Sequence, residues 1–317
     1  MATVASDIPS SGSSARRVIE LTVLTALGVD LPKTARILDF GCGFGGTLKA
    51  LRALGYVNTF GYDVEDTRAG RTRRRLGVDR GDNISVGTLL DLRLPYEDNT
   101  FDLVISDQVF EHVQDQGRVF QELLRITKPG GHGLHIIPAR YMPIEGHIFV
   151  PFGGVLKHRW WYKLWASLGI RNESQAGLSA DETADDNAYF MSDATRYIST
   201  SCYRVMWKKI GFEYRFAEQE FFDSHPRPSM RMIGRLGRPA MCLYRTFRSR
   251  IVHLRKPGHP PIQDARGRSK PAERGEKSRV TDQSRTLNLD SSSSRSTHST
   301  TPESASARDP TLRDRAR

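Results

Sequence analysis

The chain has 317 residues, enough for one large catalytic domain with appendages or for two ordinary domains, and too many for a peptide hormone or a stapled mini-protein. Apolar residues make up 38% and charged residues 26%, below a typical globular balance, so one part of the chain is poorer in core-forming residues than the rest. The net charge of +11 is a C-terminal property: residues 1–222 carry 26 Lys+Arg against 27 Asp+Glu, whereas residues 223–317 carry 21 against 9. The three cysteines, Cys42, Cys202 and Cys242, stand far apart, which excludes a disulfide framework or a CxxC metal knuckle and fits a reducing compartment. No apolar core follows a basic start at the N-terminus, and no stretch approaches the roughly 18 apolar residues of a membrane span. The expectation is a soluble, cytoplasmic protein, with association at a membrane surface left open.

In chain order, residues 1–13 read as a flexible N-terminus. A helix is predicted from Ser14 to Leu27, ended by Gly28, and the strand-like run ARILDF follows Pro32. A glycine turn leads into a helix from about Thr47 to Leu54, then the second strand, YVNTFGYD. Arg68, Arg71, Arg73, Arg74 and Arg75 read as a solvated helix face, or as a patch that attracts a phosphorylated acceptor. A third strand lies around Ile84 to Val86. FDLVIS reads as strand four, VFQELLRITK as a helix and GGHGLHIIP as strand five. Strands alternating with helices at this spacing imply a mostly parallel sheet covered on both faces, a doubly wound α/β architecture of Rossmann-like class.

The alternation lapses over 138–190, read as an insertion lying over the edge of the sheet. Within it Trp161, Leu164, Trp165 and Leu168 fall on one helical stripe. A capped helix is predicted from Ser192 or Asp193 to Gly211, followed by a strand-like FEYRFAEQEFF. The catalytic domain is thus bounded at 14–222. Residues 223–255 form a basic amphipathic segment, a candidate helix for peripheral contact with anionic lipid through 230–255, or one covered by a partner or by the chain itself. From Arg248 onward there is no Phe, Trp or Tyr, and residues 256–317 are expected to be a disordered basic tail.

The first strand and its turn, ILDFGCGFGG, place glycines where the backbone must turn tightly and approach a ligand at the start of a helix. Gly41, Gly43 and Gly46 also satisfy the GxGxxG dinucleotide fingerprint, and Asp63 at the end of strand two suits a ribose in either class of protein. Asp39 separates the two readings. A carboxylate two residues before the first glycine would repel a pyrophosphate and attract an amino-acid ammonium group. The second discriminating feature is LPYEDNTFDLVISDQVFEHV, residues 94–113, with KPGG at 128–131. On these motifs the chain resembles the class I S-adenosylmethionine-dependent methyltransferases, with a methyltransferase type 11-like domain, in the large branch that includes quinone-biosynthesis methyltransferases.

The resemblance runs over about residues 35–138 and implies S-adenosylmethionine as cofactor. It implies Asp39, Gly41, Gly43 and Gly45 around the methionine portion, Asp63 at both ribose hydroxyls, Asp91 with Leu92 beside the adenine, and Ser106 with Asp107 lining the cofactor at the end of strand four. Plainer roles stand beside these. Asp39 also suits a turn cap, Asp63 an ordinary strand-end acid, Cys42 a small loop residue, and Asp102 a structural link.

Methyl transfer from a sulfonium is an in-line displacement with an activated donor, so the protein's task is to align the acceptor and exclude water. An alcohol or phenol acceptor also needs help in losing its proton. His112, in the EHV turn, and His147 are therefore the candidate catalytic histidines. Glu145, two residues before His147, points to the same side in extended geometry and orients the ring; a loop-fixing role competes for both histidines. His132 and His135 read as packing residues, and no tight ligand spacing marks a metal site. Trp160, Trp161 and Trp165, with Tyr141, Phe149 and Phe152, suit either a packed lid or an apolar wall for a sugar, an aromatic ring or a lipid-linked acceptor.

The leading expectation is methyl transfer to a small-molecule or glycan-type acceptor at oxygen. The alternatives are an NAD(P)-dependent oxidoreductase, and a non-catalytic cofactor-binding adaptor whose basic tail recruits membrane or nucleic acid. The tail lacks the interleaved aromatics of a specific nucleic-acid platform. The acceptor's identity and the oligomeric state stay open.

Overall fold

A computed structural model describes residues 18–64, 84–87 and 93–258. The expectations for 1–13, the arginine cluster, Asp91 and Leu92, and the tail beyond 258 lie outside the described residues. Helix α1 (Ile19–Ala26) leads into β1 (Ile37–Phe40), α2 (Gly46–Ala53), β2 (Thr59–Val64), β3 (Ile84–Gly87) and β4 (Phe101–Asp107). Then follow α3 (Gln116–Ile126), β5 (Thr127–Pro138), α4 (Arg159–Ser167), α5 (Ala180–Tyr189), α6 (Thr200–Ile210), β6 (Glu213–Phe216), α7 (Glu218–Asp223), α8 (Pro228–Gly234), α9 (Gly237–Phe247) and β7 (Ser249–Arg255).

The seven strands form one sheet in the order β3-β2-β1-β4-β5-β7-β6. The first five run parallel, and β7 pairs antiparallel with β5 and with β6. The period-2 alternation of each strand feeds two cores. Ile37, Leu103, Ile105, Leu134 and Ile136 pack toward α1, α7 and α9 on one face; Leu38, Phe40, Val104, Phe110, Phe120 and Trp207 pack together on the other. Strand order reverses between β1 and β4, so a crevice opens at their carboxyl ends, where α/β sheets bind ligands.

The KPGG run lies inside β5 and makes a bulge: Phe101 faces Thr127 but Leu103 faces His132, and Gly130 takes φ +78°. Asp102 is structural here. It accepts Lys128 Nζ at 2.7 and 2.8 Å and the Arg36 amide at 2.8 Å, tying the bulge to the approach of β1.

Four expectations need correction. The domain does not close at residue 222, and 223–255 is not one amphipathic helix: it comprises two short helices and β7, in which Ile251, Val252 and Leu254 are fully buried. Burial against β5 outweighs the absence of aromatics from Arg248 onward. FEYRFAEQEFF is strand only to Phe216; α7 then turns Phe221 and Phe222 into the core. The helix before Gly211 starts at Thr200, because Ser199, not Ser192 or Asp193, accepts the Cys202 amide as its N-cap. In α4 the buried residues are Tyr162 and Ala166, while Leu164 and Leu168 face solvent, so the inward stripe is shifted by one position from the one expected.

Between β5 and α6 a third, separate core forms. Ile148, Val150, Tyr162, Ala184 and Met191 are buried together, with Trp161 and Trp165 packed against them. Tyr162 donates its hydroxyl to Gly153 O at 2.9 Å and Trp161 its indole N–H to Pro151 O at 2.7 Å.

Candidate active site

The floor of the crevice is set by the turn after β1. Gly41 N–H and Cys42 N–H both donate to Tyr62 O, at 2.8 and 3.1 Å, folding the turn back on β2. Gly41 has φ +83°, and a Cβ there would stand 2.3 Å from Val109 Cγ2, so glycine is required twice over. Gly43 has φ +52° and open space where a Cβ would project. Gly45, at φ +72°, is the N-cap of α2 and leaves the first amides of that helix facing the crevice. Cys42 is buried with its Sγ against Gly61, as a small loop residue would be.

Asp63 closes the loop from the side. One carboxylate oxygen accepts Gly43 N–H at 2.6 Å and the other accepts Val64 N–H at 2.7 Å. It therefore fixes the glycine turn from the end of β2. Asp39 is almost fully buried on the α1 side of the sheet. Burial pushes its carboxyl up to about 7, against the pull of the Thr47 hydroxyl and with added repulsion from Asp107 and Asp63. Burial thus works against the negative charge expected at this position, and a neighbouring cation would favour it.

Glu20 of α1, which the sequence did not single out, is also buried and raised well above the usual carboxylate range, first by burial and then by Asp107. Strand alternation explains this grouping: residues 39, 105 and 107 face α1, whereas Ser106 faces the other way. Ser106 is fully buried and lies 2.8 Å from His135 Nδ1, so at the end of β4 it is Asp107 that offers a side chain to the crevice. Crowded carboxylates beside free helix amides, around a turn with room at Gly43, fit a zwitterion that carries an ammonium and a carboxylate, as the methionine portion of S-adenosylmethionine does.

The chain then makes a short turn, Phe110–His112, and brings the second group of residues into the site. His147 Nδ1 donates to Glu145 Oε1 at 2.8 Å, Tyr197 O–H donates to the same oxygen at 2.6 Å, and Glu145 Oε2 accepts the amides of His147 and Ile148. Burial alone would raise Glu145, but these donors, His147 first, hold it down at about 2. Burial disfavours the His147 cation too, yet Glu145 outweighs it and the ring is raised above its ordinary value. His112 Nδ1 donates to Ala194 O at 3.1 Å, and burial, reinforced by His147, lowers this ring. The two imidazoles meet edge to face with centroids 4.9 Å apart, and Phe190 lies 5.3 Å from His147.

Sequence reasoning found His112, His147 and Glu145 and missed Glu111 and Tyr197. Glu111 had a signal, its place beside His112 in the EHV turn. Tyr197 had none, because it comes from a loop 52 residues beyond Glu145. Of the aromatic wall, Phe149 and Phe152 are half exposed and hold φ of +58° and +51°, conformations that non-glycine residues adopt at a cost. Tyr141 and Trp160 are also exposed, whereas Trp161 and Trp165 pack against the insertion's own core.

A family model described as a methyltransferase domain matches residues 38–134. The chain is 37% identical to a glycine/sarcosine/dimethylglycine N-methyltransferase from Actinopolyspora halophila over 123 residues, 38% of this chain and 21% of that protein. It is 32% identical to norajmaline N-methyltransferase from Rauvolfia serpentina over 128 residues, 39% of this chain and 43% of that one. The chain thus spans less than half the length of either relative. A solved S-adenosylmethionine-dependent methyltransferase from Mesorhizobium loti aligns with a TM-score of 0.45 at 16% identity, over 78% of this chain and 100% of that one. The matched segment begins in β1, ends in β5 and contains the glycine turn, Asp63 and Asp107, so residues 38–134 form a methyltransferase domain similar to those of the class I S-adenosylmethionine-dependent enzymes.

Proposed function

We propose that the chain is an enzyme that transfers a methyl group from S-adenosylmethionine to a hydroxyl oxygen of a small-molecule or glycan-type acceptor. The observation that carries the donor half is the grouping of Glu20, Asp39, Asp63 and Asp107 around a positive-φ glycine turn at the strand-order reversal. S-adenosylmethionine supplies a methyl group already activated on sulfur. Asp39, with Gly41, Gly43 and Gly45, holds the amino-acid end; Asp63 takes the ribose hydroxyls while bracing Gly43; Asp107 stands between donor and acceptor. A dinucleotide would set its pyrophosphate against the same carboxylates, which disfavours the oxidoreductase reading.

On the acceptor side, Glu145 and Tyr197 fix the ring of His147 beside that of His112. An acceptor hydroxyl placed there has imidazoles to bind it and to draw its proton away as the oxygen becomes nucleophilic. Phe149 and Phe152 supply apolar surface beside it, excluding water. The named relatives methylate nitrogen, but the alignments to them cover less than two-fifths of this chain, so the acceptor atom is argued from this chain's own histidines.

Calorimetry with S-adenosylmethionine tests the donor site. Asp63→Ala should bind at least about tenfold more weakly, given 1.5–3 kcal/mol for a hydrogen bond to a charged group; equal affinity removes Asp63 from the ribose site. Mass spectrometry of extracts incubated with the enzyme and isotopically labelled donor should show the label on an oxygen. A labelled amine would overturn the acceptor assignment and leave the donor site standing.

A further inference from the structure

Beside the histidine pair lies a carboxylate that the proposed reaction leaves unused. Glu111 is 1% exposed, and neither of its side-chain oxygens has a hydrogen-bond partner among the described residues. A carboxylate buried without a partner either takes up a proton or is matched by a cation, an ion-pair partner or a metal. One ligand atom from each of Glu111, His112 and His147 lies within 4.8 Å of the others. Around an ion bound at about 2.1 Å, such atoms stand roughly 3.4 Å apart, a closure that small side-chain rotations provide.

The two rings are already prepared for such a role. His112 gives its Nδ1 proton to the Ala194 carbonyl, and His147 gives its own to Glu145. In the neutral rings the unprotonated nitrogen is then Nε2. A carboxylate or carbonyl behind each imidazole is the outer arrangement that orients metal-binding histidines, and here Tyr197 and two backbone amides hold the carboxylate in turn. A competing explanation, in which His147 serves only to satisfy Glu145, leaves Glu111 without a function and without a partner.

We infer that Glu111, His112 and His147 together bind one divalent transition-metal ion, with zinc suited to two imidazoles and one carboxylate and with a coordination position open toward the crevice. The ion's part in catalysis rests on the methyltransferase reading above; its binding does not. With the ion bound, the imidazole lone pairs serve as ligands in place of the proton-accepting role given them above, and a hydroxyl acceptor at the open position gives up its proton to water. Its oxygen then forms the C–O bond as the C–S bond breaks, and the sulfonium leaves as a neutral thioether. Charge and atoms balance without any redox partner.

The test uses the full chain freed of metal with a chelator, in a Cys202→Ser, Cys242→Ser background because both thiols are exposed and would bind zinc adventitiously. Zinc titrated by calorimetry should bind one ion per chain, and cobalt(II) should give the visible absorption of a low-symmetry nitrogen and oxygen site. Glu111→Gln and His112→Asn should each weaken zinc at least tenfold, and Glu145→Gln should weaken it by about tenfold, the lower end of effects seen for outer-shell partners. S-adenosylmethionine affinity is read in the same samples and should not change in these variants. Should Glu111→Gln fail to fold, the unfolding midpoint of the background protein serves instead: zinc should raise it, and His112→Asn should remove the rise. No saturable zinc binding, or unchanged binding in Glu111→Gln, overturns the site and leaves the donor reading intact; loss of S-adenosylmethionine binding by the wild type would instead overturn the donor reading alone.

Discussion

The proposed donor side of the crevice is built on one stretch of chain, Asp39 to Gly46, with acids from α1, β2 and β4 around it, whereas the proposed acceptor side gathers Glu111, His112, Glu145, His147 and Tyr197 from three separate loops. The donor side depends on backbone: positive-φ glycines, two amides folded back on Tyr62, and a helix start. The acceptor side depends on side chains held by other side chains. Backbone geometry tolerates almost no substitution, and a side-chain network tolerates it in proportion to what each member holds. The same fold therefore keeps one ligand fixed and leaves the other free to vary.

The sharpest way to break this contrast is at Gly41. Gly41→Val should abolish S-adenosylmethionine binding and lower stability by about 3 kcal/mol, since strain at positive φ and overlap with Val109 act together; denaturant unfolding and calorimetry would measure both. Glu145→Gln should lower turnover by about 100-fold, within the range for groups that assist proton removal, while donor affinity stays at the wild-type value. A change in donor affinity would show that the two sides are not separable.

A smaller effect concerns the strand between them. Burial pushes the His135 ring down to about 3, with His253 adding to it. Because the folded-state value lies below the unfolded one, its contribution is complete above about pH 6.5 and is lost as pH falls toward 3. The cost is about 1.4 kcal/mol per pH unit. His135→Gln should flatten the stability curve by one proton over that window, measured by urea unfolding. Smallest of all, Tyr162→Phe should cost about 1 kcal/mol, visible as faster amide exchange within the insertion and not in β1 or β4.

This division also governs how much could be read in advance. The glycine turn, Asp63 and strand four were legible because backbone requirements leave glycine and carboxylate at fixed offsets. His112, His147 and Glu145 were legible through residue type and nearness to strand ends. Tyr197 was not, because a loop contact across 52 residues leaves no local pattern. Ser106 and Asp107 were expected together beside the cofactor, and strand alternation separates them: Ser106 turns to His135 and Asp107 to the α1 side. Strand β7 was hidden by composition: Ile251, Val252 and Leu254 sit among arginines, and the basic character of the segment obscured three residues that bury completely.

That last strand bears on how the protein is made. Strand β5 pairs on one side with β4, and its outer neighbour is supplied by Ser249–Arg255. A growing or shortened chain that stops near Phe222 would present β5 as an unpaired, apolar border open to other chains. Expression of a fragment cut at that residue, though it contains every motif of the family, should therefore yield aggregate, and the boundary for a folded unit should be drawn beyond Lys256, whose amine also anchors Leu124 and Thr127.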